Sequence, residues 1–159
     1  MRDEQQYREY VSARTPALRR TAYLMCGNWH EAEDAVQAVL IKLYVRPPHS
    51  WEAVDAWVRK SLARRVIDQS RRPWRRDILV DRHKDTAAAS SVPYEDRQAL
   101  LDALQQLPAR QRAVVVLRYW DALTVTETAD ALGLSEGTVK SHASRGLATL
   151  RTVLEGSTP

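Results

Sequence analysis

Residues 124–154, TVTETADALGLSEGTVKSHASRGLATLRTVL, restrict the fold more tightly than any other stretch of this chain. Val125, Ala129 and Leu132 recur at helical spacing, and Gly133 follows where a tight turn needs a positive φ. Ala129 is small enough for a second helix to cross close over it. Ser135 then offers an N-cap to a longer helix with Val139, Ala143, Leu147, Leu150 and Leu154 on one side. The other side carries Thr138, Lys140, Ser141, His142, Ser144 and Arg145. Two cations among short polar groups suit close approach to a DNA major groove, with phosphate or guanine as partners. The plain alternative is a surface helix of an all-α bundle whose Lys and Arg are solvated. Turn glycine, crossing alanine and polar face occurring together favour the helix-turn-helix.

With five glycines, no Phe and repeated 3.6-residue periodicity, the 159 residues read as all-α. The net charge of +4 matters less than where it sits, because residues 56–76 hold eight Lys and Arg against one acid, Asp68. Such a block is an electrostatic footprint for a polyanion. A single cysteine, Cys26, forms no internal disulfide and lies in an apolar run beside Leu24 and Met25, which points to a buried, inert thiol. The polar start MRDEQQYREY is not a signal peptide, and no apolar run approaches the roughly 20 residues of a membrane span, so a cytoplasmic protein is expected. The four histidines are scattered, with no metal-ligand spacing, no phosphate-cradling glycine loop and no nucleophile beside a base. No metal, cofactor or enzymatic activity is expected.

Taken in order, residues 7–26 predict a helix pair or one helix interrupted near Pro16, and Gly27-Asn28 ends that pattern. Residues 30–44 predict a helix with Ala32, Ala35, Val36, Val39, Leu40 and Leu43 as its buried stripe. Its outer face mixes Glu33, Asp34, Gln37 and Lys42 with one aliphatic, Ile41. A solvated face explains the charges, and a protein-docking face explains Ile41 as well. Residues 45–55 predict a loop, since Pro47-Pro48 cannot continue a helix, and Trp51 stands within it. Residues 56–72 predict a helix with Trp57, Val58, Leu62 and Val66 inward and Arg59, Lys60, Arg64, Arg65 and Arg71 mostly outward. Cations beside aromatics are the ingredients for holding a single strand, and Trp51 is favoured over the helical Trp57 as the aromatic involved. Residues 77–93 read as an acidic linker, which divides the chain into 1–76 and 94–159. The second part predicts helices over 94–107 and 109–120 before the helix-turn-helix, four in all.

The motifs Asn28-Trp29-His30-Glu31-Ala32-Glu33-Asp34-Ala35-Val36-Gln37, Ala56-Trp57-Val58 and Arg64-Arg65-Val66-Ile67-Asp68-Gln69-Ser70-Arg71-Arg72 resemble region 2 of bacterial sigma factors. Leu107-Pro108-Ala109-Arg110-Gln111-Arg112, Leu117-Arg118-Tyr119 and Gly137-Thr138-Val139-Lys140-Ser141 resemble region 4. Both halves in this order resemble the extracytoplasmic-function (group 4) branch of the sigma-70 family. The resemblance implies two helical domains on a flexible linker and a dissociable promoter-recognition subunit of RNA polymerase. It implies that Glu33, Asp34, Gln37 and Ile41 dock on the β′ coiled coil of the polymerase core, with the β flap as a further contact. It assigns the loop 44–54 to capture of a flipped −10 base, with Tyr44 and Trp51 as candidates, and Arg59, Lys60, Arg64 and Arg71 to the −10 strand. Thr138, Lys140, Ser141, Ser144 and Arg145 would face the −35 duplex, and an anti-sigma factor is an implied partner.

Three departures stand out: His142 where Arg is frequent, Gly146 where Ala is usual, and Ala38 where Glu is common. Gly146 inside a helix costs about 1 kcal/mol relative to Ala and points to a close approach or a bend. With the sequence ending at Pro159, an extra C-terminal regulatory domain is not expected. The linker suggests a variable separation of the two domains in the free protein. The competing reading is a stand-alone helix-turn-helix regulator similar to response-regulator output domains.

Overall fold

Pro16 does not interrupt the first helix, α1, which runs unbroken over Glu4–Cys26. The ring removes the bond to the Ser12 carbonyl, but Ser12 and Pro16 are both exposed, on the side of the helix where losing that bond costs least. The computed structural model describes residues 4–71 and 94–156, and every regular element among them is helical. Gly27 at φ 75° ends α1, and Asn28 caps α2, Trp29–Val45, by accepting from the Glu31 N–H at 3.0 Å. The predicted stripe of Ala32, Ala35, Val36, Val39, Leu40 and Leu43 is buried in full. Tyr7 Oη donates to the Leu40 carbonyl at 2.7 Å and ties α1 to α2.

The predicted loop after α2 is shorter than its sequence suggests. Ser50 caps a single 3-10 turn, Trp51–Ala53, and α3 follows directly as Val54–Ser70. Val54, Val58, Leu62, Ala63, Val66 and Ile67 bury one face of α3 against the first two helices. The linker 77–93 lies outside the described residues, as do Arg72, Trp74, Arg75 and Arg76 of the basic block.

The C-terminal half contains α4, Tyr94–Gln105; α5, Ala109–Tyr119; α6, Val125–Leu132; and α7, Glu136–Gly156. Thr124 and Glu127 form a reciprocal capping box at 3.0 and 2.9 Å, which fixes where α6 begins. Gly133 at φ 66° makes the turn, and Ser135 Oγ accepts from the Thr138 N–H at 3.1 Å to start α7. Gly146 is buried against α5, where a Cβ would stand 2.6 Å from Val115 Cγ2. Close approach is therefore why the helix keeps a glycine.

The two halves share one continuous apolar core, with α1 against α4 and α5, and α3 against α5 and α6. Where the sequence suggests a variable separation, the structure has the halves packed together. Two polar contacts explain the closure. Arg112, 7% exposed, donates from Nε to the Leu104 carbonyl at 2.9 Å, from Nη2 to Leu107 at 2.8 Å and from Nη1 to Met25 at 2.7 Å. These carbonyls lie at or just beyond the C-terminal ends of α1 and α4, which lack intrahelical donors and carry the negative end of each dipole. One guanidinium thus caps a helix from each half. Thr21 Oγ1 donates to Asp121 Oδ1 at 2.7 Å across the same seam. Ala122, at φ 55°, turns the chain there at a strain cost of roughly 1 kcal/mol.

Candidate nucleic-acid interface

The helix-turn-helix presents the face its sequence predicts. Lys140, Ser141, Ser144 and Arg145 are all exposed, and their spacing places them on one side of α7. Thr138 is only half-buried, and its hydroxyl accepts from Ser135 Oγ at 2.8 Å, so it serves the cap as well as the face. Thr126 Oγ1 donates to Glu136 at 2.9 Å, which locks the first turns of α6 and α7 together. Burial of Val139, Ala143, Gly146 and Leu150 on the opposite side holds the exposed face outward. The backbone N–H of Thr124, donated to Glu127, keeps the Glu127 carboxyl below the usual carboxylate range.

A second surface lies on α2. Glu33, Asp34, Gln37 and Ile41 are exposed along one side, and Ile41 is 61% accessible. Glu33 already pairs with Arg19 at 3.1 Å, so a docking partner must compete for or extend that ion pair. Tyr44 and Val45, three and four residues past Ile41, are also exposed and continue its apolar side. Tyr44 leans edge-on against Tyr7, 5.1 Å between ring centroids. Tyr44 therefore borders the α2 surface as well as the loop 44–54.

The remaining predicted −10 residues do not form one surface. Lys60 and Arg64 line an open groove of about 490 Å³ between α2 and α3, together with Lys42, Trp57, Arg65 and Asp68. Arg59 points elsewhere, into a recess at the domain seam with Tyr10, Arg14, Thr21, Asp55 and Asp121. Neighbouring residues of a helix diverge by about 100°, which separates Arg59 from Lys60. Trp51 is half-buried, edge-on to Tyr10 at 5.8 Å, on the Tyr10 side rather than in the groove. Arg71 is exposed just past the end of α3. In the seam recess, burial and the hydrogen bond to Asp55 push the Tyr10 hydroxyl far up. Burial also raises the Asp121 carboxyl, outweighing the Thr21 hydrogen bond and the charges of Arg59, Arg14 and Arg20.

Cys26 is buried, as expected. Among the described residues no group of three or more His, Cys, Asp or Glu is placed to hold a metal, and no helix is long and apolar enough to cross a membrane. The sequence did not single out Lys42 and Trp57 as partners, nor Arg112, Thr21 and Asp121 as the seam. The signal for Arg112 was present: an arginine directly before the apolar run AVVVL.

Comparison with known proteins places both surfaces in context. Sigma-70 region 2 matches residues 10–76, and sigma-70 region 4 matches residues 97–150. The RNA polymerase sigma-E factor of Streptomyces avermitilis is 36% identical over 157 residues, covering 94% of this chain and 86% of that protein. The ECF RNA polymerase sigma factor SigL of Mycobacterium tuberculosis is 30% identical over 146 residues, covering 87% and 82%. Among solved structures, the sigma factor RpoE of Bartonella quintana, crystallised with the anti-sigma factor NepR, superposes with a TM-score of 0.79 at 25% identity, covering 97% of this chain and 99% of that one.

Proposed function

The chain belongs to the sigma-70 family, in its ECF branch, as an RNA polymerase sigma factor of transcription initiation, and on that premise we propose how its surfaces divide promoter recognition. The exposed face of α7 reads the −35 duplex through the major groove, with Lys140 and Arg145 on guanine or phosphate and Ser141 and Ser144 allowing close approach. Glu33, Asp34, Gln37 and Ile41 on α2 dock on the β′ coiled coil of the core, and the C-terminal half contacts the β flap. Lys60, Arg64 and Arg71, with Tyr44 and Trp51 near the loop, hold the separated −10 strand, so part of the binding energy goes into strand opening. Arg59 joins them once the seam with Asp121 opens. Acting on RNA polymerase, the protein works in the cytoplasm.

The observation that carries this reading is the presence of two separate outward faces, cationic on α7 and acidic-aliphatic on α2, in a chain whose halves match regions 2 and 4. A stand-alone regulator needs only the α7 face and leaves the α2 face idle. Sigma factors are not enzymes, and no surface here is assigned a chemical step. A relative is held by an anti-sigma factor, and for this chain we propose the same class of partner, seated over Ile41, which the core also needs, and the adjoining exposed Tyr44 and Val45. The test is assembly with core polymerase. Asp34→Ala with Gln37→Ala should weaken core affinity by about tenfold or more, and unchanged affinity would remove the docking assignment.

A further inference from the structure

The recess at the seam is built by both halves of the chain and keeps an uncommitted charge of each sign. Its walls come from α1, α3 and the turn between α5 and α6, around a volume of about 220 Å³. Asp55 is engaged there, accepting from Tyr10 Oη at 3.0 Å and pairing with Arg14 Nε at 3.5 Å. Arg59 is half-buried and forms no hydrogen bond or ion pair among the described residues. Asp121 accepts from Thr21 on Oδ1 at 2.7 Å, and its second oxygen has no partner among them. Burial holds the Asp121 carboxyl above its ordinary range despite Thr21 and the nearby arginines, so its charge is under-compensated in the closed chain. Ala17, Leu18 and Leu123 add an apolar part to the lining. Backbone strain marks the same place. Ala122 holds φ 55°, left-handed for a residue with a Cβ, and its neighbours on either side, Asp121 and Leu123, both line the recess. Strain of this kind persists where the surroundings over-determine it, and it gathers at ligand clamps and switches.

We propose that this recess binds a small zwitterion of the aliphatic amino-acid class, its carboxylate on the Arg59 guanidinium, its ammonium on Asp121 and its side chain against Ala17, Leu18 and Leu123. A lone anion would meet Asp55 and Asp121 as well as the arginines, and a lone cation would meet Arg14 and Arg59. A molecule carrying both charges at short spacing satisfies each with its opposite. The guanidinium offers parallel donors that match a carboxylate, and the free Asp121 oxygen accepts from an ammonium. The volume lies below the range of drug-sized ligands, as an amino acid does. Because the lining spans both halves, the ligand binds the closed chain and holds it closed by mass action. On the sigma-factor reading this keeps Arg59 from the −10 strand and makes the ligand a negative effector, whereas the binding itself does not depend on that reading.

The experiment titrates the full chain, without polymerase, with L-leucine and L-valine by calorimetry. Saturable binding is expected. It should weaken about tenfold or more for L-leucinamide, which lacks the carboxylate, and for N-acetyl-L-leucine, which lacks the ammonium. Asp121→Asn keeps an acceptor for Thr21 and should weaken L-leucine binding by a similar factor. Ala17→Leu fills the apolar part of the recess and should abolish binding without changing any charge. In the nitrogen-labelled chain the Arg59 Nε–H resonance should shift on saturation. No saturation by either amino acid up to about 10 mM would overturn the proposal. Equal binding of the two blocked analogues, full binding by Ala17→Leu, or resonance shifts confined to the groove between α2 and α3 would overturn it as well. If a variant fails to fold, the analogues on the unaltered chain decide the question. A chain that binds L-leucine as described yet supports no transcription is a failure of the sigma-factor reading alone, and leaves the site standing.

Discussion

Arg112 donates a hydrogen bond from Nη1 to the carbonyl of Met25 at 2.7 Å, joining residues 87 positions apart in the two halves of the chain. The same side chain reaches the Leu104 and Leu107 carbonyls, so helix C-termini meet part of its charge. Buried cations are tolerated only when so satisfied. The contact adds to the shared apolar core and the Thr21–Asp121 hydrogen bond that hold the two halves together.

Arg112→Ala should therefore cost about 3 kcal/mol of stability, since it removes charge-assisted hydrogen bonds to three carbonyls at once, of which Leu104 keeps the Leu107 N–H and Met25 a long contact from Gln105. Arg112→Lys keeps the charge but not the fork of donors, and should recover less than half of that. Urea unfolding of the three proteins checks both statements, and a loss below about 1 kcal/mol for the alanine variant would mean that water replaces the guanidinium.

Gly146→Ala presents a sign conflict that the geometry resolves. Helix propensity alone favours alanine by about 1 kcal/mol. The new Cβ, however, would lie 2.6 Å from Val115 Cγ2, in a side chain with no exposed surface to retreat to. Overpacking of that kind costs roughly 1–3 kcal/mol, so the net change should be destabilising. Val115→Ala in the Gly146→Ala background should recover part of the loss, giving a favourable coupling in a double-mutant cycle.

Asp121 sets a pH dependence on closure of the seam. Burial raises its folded-state pKa above the ordinary value of 3.8, so the closed form holds a proton more tightly than the open form. The stability linked to that proton is fully present below the open-state pKa and is lost as pH rises through the closed-state value. Closure should loosen as pH rises above the ordinary carboxylate range as far as this group is concerned. Asp121→Asn retains an acceptor for Thr21 and removes the charge, so it should abolish that component and close more firmly at neutral pH. Energy transfer between dyes on α2 and α7, followed against pH for both proteins, reads this directly, and identical profiles would contradict it.

Lys140→Ala and Arg145→Ala should each reduce initiation from promoters with a −35 element by about tenfold, from loss of one base or phosphate contact. Core affinity should not change, because neither residue lies on the α2 face. Loss of core binding by either variant would break the proposed division between the two surfaces.

Much of this architecture is legible in the residues, and the reasons are specific. The α2 stripe from Ala32 to Leu43 and the α7 stripe from Val139 to Leu150 follow the 3.6-residue period because each helix packs one side only. Thr124, Gly133 and Ser135 mark their turns through cap chemistry that acts within a few residues. Gly146 signals a close approach, though not that Val115 is the neighbour. Closure of the two halves is not legible, because the acceptors for Arg112 are backbone carbonyls and every residue has one. The split of Arg59 from Lys60 follows from helix geometry, but which side meets α6 and which meets α2 depends on tertiary packing. The surroundings of Trp51 and Trp57 depend on packing too: both are half-buried, Trp51 in a 3-10 turn against Tyr10 and Trp57 at the wall of a groove that only two packed helices create.

Run-off transcription with core polymerase on a promoter fragment library, with and without the chain, bears most directly on the central claim. Discrete transcripts that appear only with the chain present, and share spaced −35 and −10 elements upstream of their starts, are the predicted result. Absence of such transcripts, together with tight binding of duplex DNA by the chain alone, would contradict it.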